Sequence, residues 1–266
     1  MPTPNTPAGM RSLAALSVCV VLLVAGCGGD DEAGSTTTVQ KTVTETGTST
    51  APTETPKALT IYLLRGGKVA PVSRIVVTGP RVGAAALREL FKGPSPDEEG
   101  LETAIPSGTE LQSLAIEDGV ASVELSKPLP DDALAQVVYT LTRFPTVKRV
   151  DVGADRPVGR GAFEDETPAI LVESPLPGET VEPGFAVTGT ANTFEATFNY
   201  ELKDAGGRVL SKDFVTATSG SGTRGTFAFK VDYALEEPSD GTLVVFELSA
   251  EDGSRIHEHE IPLRLE

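Results

Sequence analysis

The stretch AQVVYTLTRFPTVKRVDV, residues 135–152, decides the fold of the first half of the chain. Counted from Leu134, its apolar residues recur at i, i+3, i+4 and i+7, which predicts an amphipathic helix that Asp131 or Asp132 can cap. Pro145 ends that helix, and VKRVDV then alternates apolar and charged residues as a strand does. This helix is followed directly by a strand, and neither contains an obvious nucleophile, general base or metal ligand. The stretch therefore indicates a structural scaffold that contacts other proteins.

Two hairpins and another helix are predicted upstream of this stretch. The larger hairpin covers residues 59–77 and turns at Gly66-Gly67, and the smaller covers residues 111–126 and turns at Asp118-Gly119, a strong signal for a tight turn. Gly79-Pro80 opens a helix between them, since proline suits the first helical position.

The order of these elements predicts the fold class and the domain boundaries. Helices interleaved with hairpins over residues 58–153 indicate an α+β domain with its helices packed on one face of a small sheet. Over residues 168–266 the pattern changes to about seven short strands separated by turns, which is typical of an all-β sandwich of immunoglobulin type. Residues 154–167 are predicted to be a linker that acts as a hinge.

The N-terminus carries the strongest local signal. Arg11 precedes the apolar run of residues 13–24, which has the length of a signal-peptide core and is too short to span a bilayer comfortably. The run ends in V-A-G-C, which resembles a bacterial lipoprotein cleavage box. We therefore expect residues 1–26 to be a signal peptide, and Cys27 to carry the lipid that anchors the protein to the extracytoplasmic face of the membrane. The alternatives are a plain secretion signal and a short membrane anchor, and the small residues before Cys27 fit cleavage better than retention.

Residues 27–57 are rich in Thr, Gly and Pro and almost free of large apolar side chains. Such a segment cannot bury enough surface to offset its loss of conformational entropy, so it is predicted to be a disordered tether. Cys19 lies in the segment expected to be removed, and Cys27 is expected to be lipidated. The exported body would then have no thiol and no disulfide.

Charge and composition exclude several classes of partner. The formal net charge is -16, and no Lys/Arg cluster interrupts the acidic background, so a nucleic acid is not an expected partner. Tryptophan is absent and aromatic residues make up 5%, which weakens a lectin interpretation.

Both parts of the chain resemble known families. The segments LTIYLL, VAPVSRIV, ALRELFKGP, GLETAIPSGTELQSLAIEDGVASVELS and AQVVYTLTRFPTVKRVDV, in this order, resemble the GerM sporulation and spore germination domain. ILVESPLPGETVEPGFAVTGTANTFEATFNYEL and the closing IPLRL resemble the immunoglobulin-like domain of bacterial spore germination. The combination is similar to lipoproteins of Gram-positive, notably actinobacterial, envelopes.

The GerM resemblance implies a fold similar to ring-building motifs, which assemble by helix-to-sheet contacts between neighbours. It implies no enzymatic activity and no cofactor. A GerM protein of the sporulation type carries two tandem copies of the domain, whereas this chain has one copy and an immunoglobulin-like partner, so ring formation does not carry over.

His257 and His259 are the only histidines. Spaced by two on a predicted strand, they would share a face, as zinc-binding pairs can, but no third ligand is suggested and no metal is predicted. The simpler interpretation is a polar strand end near solvent, and a third is a pH-responsive pair, because acidic neighbours favour imidazolium. A Ser/His/Asp hydrolase is not predicted, because no G-x-S-x-G elbow exists and both histidines lie near the end of one strand.

A small basic and aromatic patch is the candidate partner surface. If the apolar stripe of the second helix faces the sheet, Tyr139 and Arg143 lie nearer the surface, beside Lys148 and Arg149 of the next strand. Tyr and Arg are favoured at the centres of protein interfaces. The alternative interpretation is an ordinary solvated face with charges at a strand edge.

Together these observations predict a non-catalytic, lipid-anchored envelope protein that acts in protein–protein assembly with an unknown partner. A link to sporulation or germination rests on the family resemblance. The alternative is a module that binds peptidoglycan or another cell-wall glycan, for which the loops of the sandwich would serve.

Overall fold

The computed structural model describes residues 55–153 and 156–266. The predicted signal peptide, Cys27 and nearly all of the predicted tether lie outside the described residues. The tether was predicted to end at residue 57, but the first strand already begins at Thr55.

The first domain alternates hairpins with helices, as predicted. Its elements are β1 (Thr55–Arg65), β2 (Lys68–Thr78), α1 (Val82–Lys92), β3 (Leu111–Glu117), β4 (Val120–Leu125), α2 (Asp131–Thr142) and β5 (Arg149–Asp151). Strands β1 and β2 form one sheet, and β3, β4 and β5 form a second sheet in that order.

The long β1–β2 hairpin is built on the predicted glycine turn. Gly66 and Gly67 have φ angles of 55° and 75°, the left-handed conformation that a two-residue hairpin turn requires. Arg65 therefore pairs with Lys68, and the antiparallel register runs without a bulge to Thr55 and Thr78.

Helix α2 closes the other edge of β1. The Tyr62 amide donates to Thr140 Oγ1 at 3.0 Å, and Gln136 Nε2 donates to the Tyr62 carbonyl at 3.0 Å. Gln136 Oε1 also accepts from the Ala104 amide at 2.9 Å. Gln136 and Thr140 are fully buried, so these bonds satisfy backbone groups that water cannot reach and fix the helix against the strand.

Both helices begin slightly differently from the prediction. Helix α1 starts at Val82, two residues after Pro80. Pro130 occupies the N-cap position of α2 without a side-chain bond, so neither Asp131 nor Asp132 is the cap. Both carboxylates lie in the first turn instead, where the helix dipole favours negative charge. Neither α-helix of the described residues is long and apolar enough to cross a membrane.

The second domain is the predicted β-sandwich. Its strands are β6 (Ile170–Ser174), β7 (Thr180–Val181), β8 (Phe185–Ala191), β9 (Thr197–Asp204), β10 (Val209–Thr216), β11 (Gly225–Val231), β12 (Ser239–Leu248) and β13 (Arg255–Leu265). One sheet has the order β10-β9-β12-β13-β7 and the other the order β11-β8-β6. The prediction missed β7, because two residues are too few to show an alternation; β7 pairs in parallel with the end of β13.

The segment predicted to be a hinge is packed. Val158 exchanges backbone hydrogen bonds of 2.8 and 2.9 Å with Val150 of β5. Phe163 is 5% exposed and belongs to the core of the first domain, as does Leu171 of β6 in the second domain. The described part of the linker is therefore a brace between the two domains, and the hinge prediction was wrong because it took a polar composition for mobility.

Candidate docking site at the domain junction

Arg160 lies at the centre of the junction between the two domains. It begins a short 3-10 turn, Arg160–Ala162, and its guanidinium donates in three directions. Nε donates to Thr142 Oγ1 at 2.7 Å, Nη2 to the Tyr139 carbonyl at 3.3 Å, and Nη1 to Glu173 Oε1 at 2.7 Å. One side chain thus ties the end of α2 to strand β6 of the sandwich.

Two aromatic rings complete the environment of this guanidinium. Its central carbon lies 4.6 Å from the ring centroid of Tyr139 and 5.5 Å from that of Tyr62. These distances permit cation–π attraction, and the two ring centroids lie 5.2 Å apart. The Tyr62 hydroxyl donates to the same Glu173 Oε1, and the Tyr139 hydroxyl pairs with Thr167 Oγ1 at 2.6 Å.

The electrostatics keep this cluster in one charge state at neutral pH. Burial raises the pKa of Tyr62, and the neighbouring Glu173 raises it further. Burial also raises the pKa of Tyr139. Burial by itself lowers the pKa of Arg160, but Tyr62 and Glu173 outweigh that effect and raise it. The cluster therefore holds one guanidinium against two neutral phenols, with Glu173 as its hydrogen-bonded acceptor.

A second contact fastens the linker to the sandwich. Arg224 forms a bidentate salt bridge with Glu164, in which Nε donates to Oε2 at 3.0 Å and Nη2 donates to Oε1 at 2.9 Å. Asn192 also donates to Glu164, at 2.8 Å. The hydrogen bond from Arg224 lowers the pKa of Glu164, so the carboxylate is charged at neutral pH. Bidentate Arg–carboxylate pairs fix the relative orientation of the two side chains as well as stabilising the contact, so the linker has a defined path.

A groove of about 370 Å³ lies over the Arg160 cluster. We call it the junction groove; it is lined by Thr142, Arg143, Val147, Lys148, Arg160 and Glu173. Within the described residues Arg143 and Lys148 are exposed and form no ion pair, so the groove presents positive charge in a chain whose net charge is -16.

The groove contains part of the predicted partner patch. Arg143 and Lys148 line it, and Arg149 is exposed nearby but does not line it. The placement of Tyr139 near the surface was wrong, because this residue is only 1% exposed. Helical spacing identified the face of α2 that packs within its own domain, but the linker covers a further face of the same helix.

Three residues of the junction were missed in the sequence. Arg160 lies in the segment predicted to be a linker, and the sequence predicts Tyr62 and Glu173 only as strand residues. One signal was available: Phe163 is a large apolar residue in an otherwise polar segment. It indicated burial, although not against which surface.

Comparisons with known families match both domains. Residues 60–155 match the model of the family described as sporulation and spore germination, and residues 169–254 match the model described as the immunoglobulin-like domain of bacterial spore germination. The chain is a GerM-type spore germination domain followed by an immunoglobulin-like domain. No curated protein sequence matched the chain.

Solved structures similar to this chain include the tandem GerMN domains of the sporulation protein GerM from Bacillus subtilis, with 29% identity, a TM-score of 0.36, and coverage of 40% of this chain and 45% of that chain. The first GerMN domain alone has 16% identity, a TM-score of 0.30, and coverage of 38% and 86%. A putative lipoprotein from Clostridium perfringens has 18% identity, a TM-score of 0.28, and coverage of 42% and 93%. The match thus spans less than half of the tandem GerM structure.

The two histidines of the immunoglobulin-like domain do not behave as the sequence suggested. The β12–β13 register shifts between Val245 and Glu247, and His257 at this bulge has a φ of 53°. His257 Nε2 lies 3.8 Å from Glu247 Oε2, whereas His259 lines a cavity of about 480 Å³ between the two domains. The bulge interrupts the alternation on which a shared face depended. Among residues 55–153 and 156–266, no group of three His, Cys, Asp or Glu side chains is placed to hold a metal ion.

The pH response of His259 has the opposite sign to the predicted one. Acidic neighbours were expected to favour imidazolium, but burial lowers the pKa of His259, and the charge of Arg65 lowers it further. The folded state therefore favours the neutral ring.

Replacing Arg160 should loosen the junction. In Arg160→Leu, the Glu173 side chain, which is only 13% exposed, would keep its charge without a counterion, so we expect the free energy of unfolding to fall by about 2–3 kcal/mol. Urea denaturation measures the change. The double variant Arg160→Leu/Glu173→Leu should recover part of the loss, and the exposed control Arg156→Leu should change stability by less than about 0.5 kcal/mol. Equal effects of Arg160→Leu and the control would contradict the assignment.

His259 should make the protein less stable as the pH falls. A histidine whose pKa is depressed by folding binds its proton more readily in the unfolded chain, so stability falls as the pH drops below about 6.5. His259→Gln should flatten this part of the curve in urea denaturation between pH 5 and 8. Parallel curves for wild type and variant, or wild-type stability that rises as the pH falls, would show that His259 does not control the response.

Proposed function

We propose that the protein is a non-catalytic, lipid-anchored component of the cell envelope that docks another protein through the junction groove. The location would be the extracytoplasmic face of the membrane, with Cys27 as the lipid attachment site. The spore germination families to which both domains belong support a role connected with germination or sporulation.

One observation carries the docking proposal: the junction groove takes its walls from both domains and from the brace between them. Arg143 and Lys148 come from the GerM-type domain, Arg160 from the linker and Glu173 from the immunoglobulin-like domain. Since Arg160 and Glu173 neutralise each other in the floor, Arg143 and Lys148 remain available for an acidic partner.

The size of the groove indicates what it contributes. A stable interface buries about 800 Å² on each partner, which is more than these few residues provide. The groove would therefore be the charged centre of a broader contact that extends over both domains. A docking face built from two domains requires them to hold a fixed orientation, and the Arg160 cluster supplies that constraint.

The proposal of a non-catalytic role rests on how the junction side chains are used. The titratable groups of the cluster already have hydrogen-bond partners: Tyr62 and Arg160 both donate to Glu173, and the Tyr139 hydroxyl pairs with Thr167. A general acid or base must be free to exchange a proton with a substrate. The hydrogen bonds within the cluster occupy these groups, so we do not propose that they act as a general acid or base.

Lipid attachment is tested at the N-terminus. Mass spectrometry of the protein isolated from its own cells should find a mature chain that starts at Cys27 and carries acyl chains on that residue. The Cys27→Ala variant, processed in the same cells, should lack the lipid mass. A mature chain that starts elsewhere, or an unmodified Cys27, would refute the anchor.

Docking is tested by crosslinking the anchored protein in living cells and identifying the products by mass spectrometry. The double variant Arg143→Glu/Lys148→Glu should reduce the main crosslinked protein by about tenfold, because reversing two charges turns attraction into repulsion. The control Lys230→Glu reverses one exposed charge on the other domain and should retain that product.

An unchanged crosslinking pattern in the Arg143→Glu/Lys148→Glu variant would contradict the docking proposal. A separate arm addresses the glycan alternative. The purified protein is incubated with cell-wall sacculi stripped of protein, and its retention there would favour a glycan ligand.

A further inference from the structure

The far half of the β1–β2 hairpin has an open backbone edge. The two-residue turn fixes which residues of β2 direct their N–H and C=O groups away from β1, namely those at odd positions. The first of them, Val69, donates to the Glu166 carbonyl at 2.8 Å, and the next, Pro71, has no N–H. Further along, Ile75 and Val77 have the same orientation, and β2 has no second strand partner among the described residues. We call residues 75–78 the open edge.

The side chains of the open edge are as unusual as its backbone. Ile75 is 81% exposed, the highest value among the large apolar residues in the described part of the chain, and Val77 is 62% exposed. Edge strands are normally protected by charged side chains, bulges or a covering element. The part of β13 that β7 does not cover follows that rule with its bulge and charged residues, whereas neither a bulge nor a charged side chain interrupts the stretch from Ile75 to Thr78.

A cationic groove lies beside the open edge. It has a volume of about 940 Å³, and its walls include Val76, Val77 and Pro80 on one side and Arg81, Arg88, Glu89 and Lys92 around α1 on the other. Glu89 pairs with Lys92, and within the described residues Arg81 and Arg88 have no acidic partner. Positive charge thus borders the open edge of a strongly acidic protein.

We propose that the open edge and this groove bind an extended, acidic peptide segment of a partner protein by β-strand addition. The backbone of the segment would pair with Ile75 and Val77, while alternate acidic side chains would reach Arg81 and Arg88. This surface is separate from the junction groove, so the proposal adds a second contact to the proposed function and does not depend on the first.

Two other occupants fit the surface less well. A lipid surface offers no partners for the outward N–H and C=O groups, and the net charge of -16 repels anionic head groups. A second copy of the chain, paired edge to edge, would bring its own Arg81 and Arg88 against those of the first, and like charges at close range repel each other.

The test measures binding of a short fluorescent peptide of alternating glutamate and valine to the full-length chain by fluorescence anisotropy. We expect saturable binding that weakens as salt is added. A peptide of alternating lysine and valine should not bind. The glutamate peptide with alternate amides N-methylated should bind at least about tenfold more weakly, because it cannot complete the ladder.

Variants place the binding on this surface. Arg88→Glu should raise the Kd of the glutamate peptide by about fivefold or more. Ile75→Pro should have a similar effect, since it removes an outward N–H at a position equivalent to Pro71, which the same strand already accommodates. Lys230→Glu reverses an exposed charge that lines neither groove and should leave the Kd unchanged, and circular dichroism confirms that each variant is folded.

Three outcomes would overturn the proposal. They are no binding of the glutamate peptide to the wild type, equal binding of the lysine peptide, and an unchanged Kd in folded Arg88→Glu and Ile75→Pro variants. Concentration-dependent dimerisation that these two variants abolish would assign the edge to a second copy of the chain and would also overturn it.

Discussion

The arrangement of the two domains depends on one guanidinium that has been removed from most of its water. A charge in that position is costly unless it is paired and hydrogen-bonded. Arg160 meets both requirements only because Thr142 and Tyr139 belong to α2 and Glu173 belongs to β6. Any large rotation of one domain against the other would separate the guanidinium from part of its partners. The cost of an unpaired charge therefore selects one orientation.

The junction groove and the brace follow from this constraint. Phe163 packs into the core of the GerM-type domain, and the next residue, Glu164, binds Arg224 of the immunoglobulin-like domain. Two adjacent residues of the linker thus provide apolar packing against the GerM-type domain and a bidentate salt bridge to the immunoglobulin-like domain. The same contacts determine the shape and charge of the junction groove. Its walls therefore come from the GerM-type domain, the linker and the immunoglobulin-like domain.

The sequence predicted what depends on local spacing and failed where burial comes from another domain. The glycine turn at Gly66-Gly67, the hairpin at Asp118-Gly119 and both helices leave a signal within a few residues of themselves. Tyr139 has no such signal, because the surface that buries it is formed by Thr167 and Arg160, well beyond the helix. Periodicity therefore predicts the fold of each domain and not the contact between them.

The histidine pair failed for a different physical reason. A predicted strand assigns faces by strict alternation, and a single inserted residue cancels that assignment beyond it. The bulge at His257 occurs in a charged stretch of β13 that contains no glycine or proline from which it could be predicted. The direction of the pKa shift of His259 depended on burial between the domains, which lies outside what a single strand can show.

The central claim, that the two domains form one rigid body, is tested most directly by the distance distribution between spin labels on the two domains. Labels at Lys92→Cys and Lys230→Cys, in a chain whose Cys19 and Cys27 are replaced by serine, would be measured by pulsed electron–electron double resonance in frozen solution. We expect a single narrow distribution. A broad distribution, or several separate distances, would contradict the account, because the Arg160 cluster could not then be holding one orientation.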